Sequence, residues 1–126
     1  MPEVREALGT TEMNLKDFSV ELLDKSVRVD YNTIKLGNNE SKNHKLAKMK
    51  VCEMLVKAER PFLTECKLKG YGRVDVIAPL SQEIFECLET ETQVKFEQKS
   101  FPIGWKVYQV VYDENKNNVR WVMKNG

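Results

Sequence analysis

Three carboxylates interrupt apolar, strand-like stretches of this chain. Glu65 lies in Phe62-Leu63-Thr64-Glu65-Cys66-Lys67-Leu68, Asp75 in Arg73-Val74-Asp75-Val76-Ile77, and Glu86 in Glu83-Ile84-Phe85-Glu86-Cys87-Leu88. A fourth, Glu53, sits in the helical stretch before them. A carboxylate within a strand is costly unless it is paired or holds a cation. Strand side chains alternate between faces, so Asp75 goes with Arg73 and Ile77, away from Val74 and Val76. By the same parity Glu86 goes with Ile84 and Leu88, away from Phe85 and Cys87. Asp75 and Glu86 then share a sheet face if their strands pair. Converging carboxylate oxygens suit Mg²⁺ or Mn²⁺, ions that activate water and stabilise charge on a phosphate in transfer. A strand acid also serves as a solvent-facing residue or as a partner for Lys or Arg, and that reading stands beside the first.

The elements that must position these acids follow from periodicity. Leu15, Phe18, Leu22 and Leu23 predict a helix over 12–25, and the alternation of Val27, Val29 and Tyr31 predicts a strand over 26–36. After the break at Gly37-Asn38-Asn39, Leu46, Met49, Cys52 and Leu55 or Val56 recur at helical spacing and predict a helix over 41–58, capped by Ser41 or Asn39. Beyond Pro61 the period turns to two. Strands are expected over 62–68, 73–77 and 83–88, a short polar helix over 90–100, and strands again over 106–112 and 119–123. From residue 41 the order reads α-β-β-β-α-β with one extra strand. That is an α/β (α+β) fold with a mixed central sheet flanked by helices. The chain reads as one domain over 1–126, with its core at about 41–112 and residues 1–40 as a helix-and-strand extension.

Charge is segregated although the total is only +1. Residues 41–73 carry nine basic side chains against Glu53, Glu59 and Glu65, while the flanking segments are net acidic. A basic block of this kind is the footprint a phosphate backbone requires, or else a solvated lysine-rich helix face. The composition, 41% hydrophobic and 31% charged, argues against a disordered or fibrous chain. No apolar run reaches the roughly 18 residues of a membrane helix, and Glu3, Arg5 and Glu6 do not fit a secretory signal. A soluble, cytoplasmic protein without a membrane partner is expected. Three cysteines without CxxC spacing fit neither a disulfide framework nor a zinc site, and they read as buried apolar residues. His44 is the only histidine, which excludes a His-pair metal site.

Residues 41–112 resemble the PD-(D/E)xK, or restriction-endonuclease-like, nuclease superfamily, whose small members include Holliday junction resolvases and nucleases of archaea and their viruses. The resemblance rests on Glu53 in the first core helix, on Gly72-Arg73-Val74-Asp75-Val76 for the aspartate motif, and on Glu86-Cys87-Leu88 for the acid-x-lysine motif. It implies an αβββαβ core and divalent-metal-dependent hydrolysis of phosphodiester bonds in DNA. Asp75, Glu86 and the Cys87 backbone carbonyl would hold Mg²⁺ or Mn²⁺, and Glu53 would orient the attacking water. His44, Lys45, Lys48, Lys69, Tyr71 and Arg73 would contact nucleic acid, the cations through phosphates. A homodimer is expected for a small domain acting on duplex DNA, with Trp121, Val122 and Met123 as one possible interface.

One position departs from the pattern. Leu88 occupies the place of the lysine that positions the water and stabilises the phosphate charge. Lys95 or Lys99 on the following helix can substitute, and Lys67, in the literal Glu65-Cys66-Lys67, offers another register. With no lysine at the metal, the same fold becomes an inactive DNA- or protein-binding module. A structural protein whose acids pair with its own lysines is the third reading.

Overall fold

The computed structural model describes residues 14–88 and 99–124. They form an α+β fold: α1 (Leu15–Glu21), α2 (Lys42–Lys57), then β1 (Leu63–Leu68), β2 (Gly72–Ala78), β3 (Glu83–Cys87), β4 (Lys106–Asp113) and β5 (Asn118–Met123). The strands make one mixed sheet in sequential order, antiparallel except for the parallel β3–β4 pair. Parallel neighbours need a long crossover, here residues 88–105. The helix expected over 90–100 falls mostly within 89–98, outside the described residues, while Lys99 and Ser100 are not helical.

Each sheet face carries its own core. On one side Phe18 and Leu23 pack with Leu63, Cys66, Leu68, Val74, Ile77, Ile84 and Val107, with Trp105 and Phe101 closing the edge. The Phe18 and Trp105 rings lie 6.0 Å apart, so Trp105 packs in the core. On the other side Ala47, Val51, Cys52 and Leu55 of α2 cover Phe62, Val76, Ala78, Phe85, Cys87 and Val110. All three cysteines are free and buried.

Helix α2 starts where expected. Ser41 caps it, its hydroxyl accepting the His44 N–H at 3.1 Å. It ends at a left-handed Glu59 (φ 55°), with the Glu59 and Arg60 amides bonded to the Val56 and Leu55 carbonyls. The buried stripe differs from the expected one. Ala47, Lys48, Val51, Cys52 and Leu55 face inward, whereas Met49 and Val56 are exposed. One residue corresponds to about 100° of helix rotation, and the helix is turned by about that much so that Lys48 points into the protein.

The N-terminal extension also departs from expectation. Helix α1 is shorter than the predicted 12–25, ending at Glu21. Residues 26–36 form no strand; they run as an irregular segment along the free edge of β1. Leu23 bridges Leu68, Asn32 exchanges bonds with Phe62, and the Thr64 hydroxyl accepts from the Lys35 amide and donates to the Thr33 carbonyl. The polar side chains of Asn32 and Thr64 replace a regular ladder. They shield an edge that would otherwise be open to pairing.

Phe85 is fully buried and stacks on Tyr108 at 5.2 Å. Phe85→Ala should cost about 3–5 kcal/mol, read from urea unfolding. A loss below about 1 kcal/mol would contradict this packing.

Candidate functional site

The sheet changes character at one level. In the β1–β2 ladder, Thr64 pairs with Val76 and Cys66 with Val74, leaving Glu65 and Asp75 between the two pairs. Glu65 has a φ of 51°, a left-handed value seldom adopted by a residue with a side chain. Val74 and Val76, expected on one face, belong to opposite cores. Simple alternation therefore fails across Asp75. In the β2–β3 ladder, pairing stops at Val76–Phe85. Beyond it Asp75 Oδ2 accepts the Cys87 N–H at 2.8 Å and Glu86 Oε2 accepts the Asp75 N–H at 3.2 Å. Two carboxylates thus fill the gap where backbone carbonyls would sit, and Glu65, Asp75 and Glu86 line up across three strands.

Two sets of cations meet this row. From α2, Lys48 is fully buried, and its three N–H groups go to Glu40 Oε1 at 2.6 Å, Glu65 Oε1 at 2.9 Å and the Lys35 carbonyl at 2.8 Å. All its donors are used. His44, one turn earlier, places Nε2 at 3.5 Å from Asp75 Oδ1 and 3.9 Å from Glu40 Oε2. Both His44 Nε2 and Glu40 Oε2 are buried without a hydrogen bond. From the crossover, Lys99 sets Nζ at 2.5 Å from Glu86 Oε1 and also donates to the Arg73 carbonyl.

The electrostatics follow from this crowding. Burial pushes the Glu86 carboxyl up to about 8, reinforced by the Asp75 charge and opposed by Lys99. Burial works against ionised Asp75 as well, but His44, Glu86 and the Cys87 amide outweigh it and hold the carboxyl below its usual range. One acid of the pair is ionised and its neighbour keeps a proton. The Asp75 carboxylate raises His44 against the effect of burial. Burial would lift Glu40, yet its bonds to Glu65 and Lys48 bring it down to about 2. Glu65 is raised by burial and by Glu40. Burial pushes the Cys52 and Cys66 thiols up to about 12, so neither is a ready nucleophile.

The structure departs from the expected assignments at Lys48, Glu53 and Cys87 and places the other residues as follows. Lys48 is enclosed by acids and is not available to a phosphate. Glu53 is exposed on α2 and pairs with Lys57 at 3.1 Å, away from the row of acids. The Cys87 N–H, rather than its carbonyl, is the backbone group that meets Asp75. Tyr71 is half-buried against the α1-side core, and the Lys69 ammonium donates to the Val20 carbonyl. Lys45 is half-buried and Arg73 is exposed. Lys95 lies outside the described residues. Sequence reasoning missed Glu40, although Glu40, His44 and Lys48 recur every four residues, the spacing of one helix face.

No protein-family model, curated protein or solved structure matches the chain. Among the described residues, no three or more His, Cys, Asp or Glu side chains are grouped to hold a metal ion. Three of the four oxygens of Asp75 and Glu86 are engaged by N–H groups, leaving Asp75 Oδ1 facing His44.

Two outcomes follow. Lys48→Met removes the buried ammonium bonded to two inward acids and should cost about 3–5 kcal/mol, measured by chemical unfolding; an unchanged midpoint would contradict the buried network. Glu86 titrates at about 8 in the fold and near 4.3 when unfolded. Between those values the folded protein holds a proton that the unfolded chain has lost, so this residue lowers stability as pH rises through that window. Glu86→Gln should therefore gain stability relative to wild type as pH rises from about 4.3 to about 8. A difference independent of pH would contradict the raised carboxyl.

Proposed function

We propose that the protein is a divalent-metal-dependent nuclease that hydrolyses phosphodiester bonds in DNA at the Asp75–Glu86 step, acting in the cytoplasm on a restriction-endonuclease-like core. The observation that carries this reading is Lys99. Its ammonium stands on Glu86 even though the sequence has Leu88 where a lysine two residues after the acid is expected. An acid pair on adjacent strands with a lysine against one acid is the donor set that phosphoryl chemistry requires.

Oxygen donors suited to a hard cation remain: among the described residues Glu40 Oε2 is buried without a hydrogen bond, and Asp75 Oδ1 faces His44. Asp75 and Glu86 would hold Mg²⁺ or Mn²⁺, which supplies charge stabilisation and water activation when bound. Glu86 must lose its proton and release the Asp75 amide for this, so loading is favoured at higher pH. Lys99 then stands beside the carboxylate that receives the ion and neutralises charge growing on the phosphate. His44, held against Asp75, orients that carboxylate and takes or gives a proton at Nε2. The basic residues of 41–73 that remain outside the core, Lys45, Lys69 and Arg73, approach the DNA backbone. A homodimer for duplex cleavage would use β5, where Trp121, Val122 and Met123 are exposed.

Labelled single-stranded, duplex and four-way DNA incubated with Mg²⁺, Mn²⁺ or EDTA tests the proposal. Cleavage should require the metal and fall at least about 100-fold in Asp75→Asn, Glu86→Gln and Lys99→Met, while Glu53→Gln cuts like wild type. Binding without cleavage on every DNA would assign the fold to an inactive binding module.

A further inference from the structure

An open groove of about 830 Å³ is bounded by the start of α2 and the β4–β5 hairpin. Its volume is that of a small-molecule site. The groove adjoins the site through the chain itself. Asn43 on its wall precedes His44, and Leu88 on its floor follows Cys87, whose amide holds Asp75. Its lining combines three chemistries. Tyr112 gives an aromatic surface, Asn43 and Asn115 give amides, and Lys42 from α2 and Arg120 from β5 bring positive charge. Among the described residues, neither Lys42 nor Arg120 has an ion pair or side-chain hydrogen bond. Two acids also line the groove. Asp113 is tied into the hairpin turn by the Asn115 N–H at 3.0 Å, and Glu114 is exposed at the hairpin tip.

We propose that this groove binds a single polynucleotide strand next to the phosphate to be cut, a reading that deepens the nuclease proposal and rests on it for the position of that phosphate. An unpaired nucleotide matches all three parts of the lining. Its base has a face for Tyr112 and edges for the asparagine amides, and its flanking phosphates meet Lys42 and Arg120. Being open, the groove lets the strand continue in both directions. A paired base has its hydrogen-bonding edge occupied and its faces stacked, so duplex lacks the groups this lining reads.

The test is fluorescence anisotropy of labelled 12-nucleotide DNA and RNA single strands and a blunt DNA duplex, in EDTA, so that binding is read without metal or cleavage. Wild type is compared with Lys42→Ala/Arg120→Ala and with a charge-matched control, Lys16→Ala/Lys25→Ala, on the exposed surface around α1. The groove variant should bind single strands about tenfold more weakly, and its salt dependence should fall by a slope of about 1.4, the value for two phosphate contacts on a single strand. The control should bind like wild type, and the DNA and RNA arms decide which sugar the groove prefers. Equal losses in both variants, or duplex bound as tightly as single strand with the same loss, would overturn the groove. Metal-dependent cleavage with groove-independent binding removes this inference alone. Groove-dependent binding without cleavage removes the nuclease reading and leaves the groove.

Discussion

The buried ammonium of Lys48 is the constraint on which the rest of the arrangement depends. A lysine without water is tolerated only when its charge is balanced and each N–H has an acceptor. Here the acceptors come from three parts of the chain: Glu40 before α2, Glu65 in β1 and the Lys35 carbonyl in the edge segment. Satisfying that one group fixes the rotation of α2, ties down the segment that shields β1, and draws Glu65 toward the helix in a left-handed conformation. Because α2 is rotated to bury Lys48, His44 comes over Asp75.

The same local departure from regularity creates the site. A regular ladder would pair the backbone at residues 75 and 86 and send their side chains to the faces. With the ladder interrupted, Asp75 and Glu86 turn into the gap and serve as acceptors for each other's strand. The cost of placing two acids side by side is reduced by a proton on Glu86, by Lys99 on one side and by His44 on the other. Each acid is engaged, yet among the described residues Glu40 Oε2 still lacks a hydrogen bond. On the proposed function, the groups that bridge the broken ladder are also the groups that meet a phosphate, so sheet stability and activity would be linked.

Much of this was legible in the chain. The five strands lie within about a residue of their alternating patterns, and Ser41 marks the start of α2. Asp75, Glu86 and the alternative Lys99 stand out as charges in or near apolar runs. The remainder was hidden for physical reasons. Periodicity assumes that lysines face water, so the stripe was drawn through Met49 and Val56 when the buried face contains Lys48. Alternation assumes an unbroken strand, which fails where Glu65 takes a positive φ. The strand-like pattern of 26–36 reports burial against β1, while Asn32 and Thr64 supply the hydrogen bonds. Glu53 is the most conspicuous acid of the helix, but Glu40, placed before the helix begins, reaches the ammonium together with Glu65.

We propose that the Asp75–Glu86 step receives a divalent cation and gives up a proton to do so. Isothermal titration of Mn²⁺ into the metal-free protein, in two buffers of different ionisation enthalpy near neutral pH, measures both at once. The account predicts one saturable site that releases protons and is abolished by Asp75→Asn. Absence of binding, or binding that survives Asp75→Asn, would contradict it.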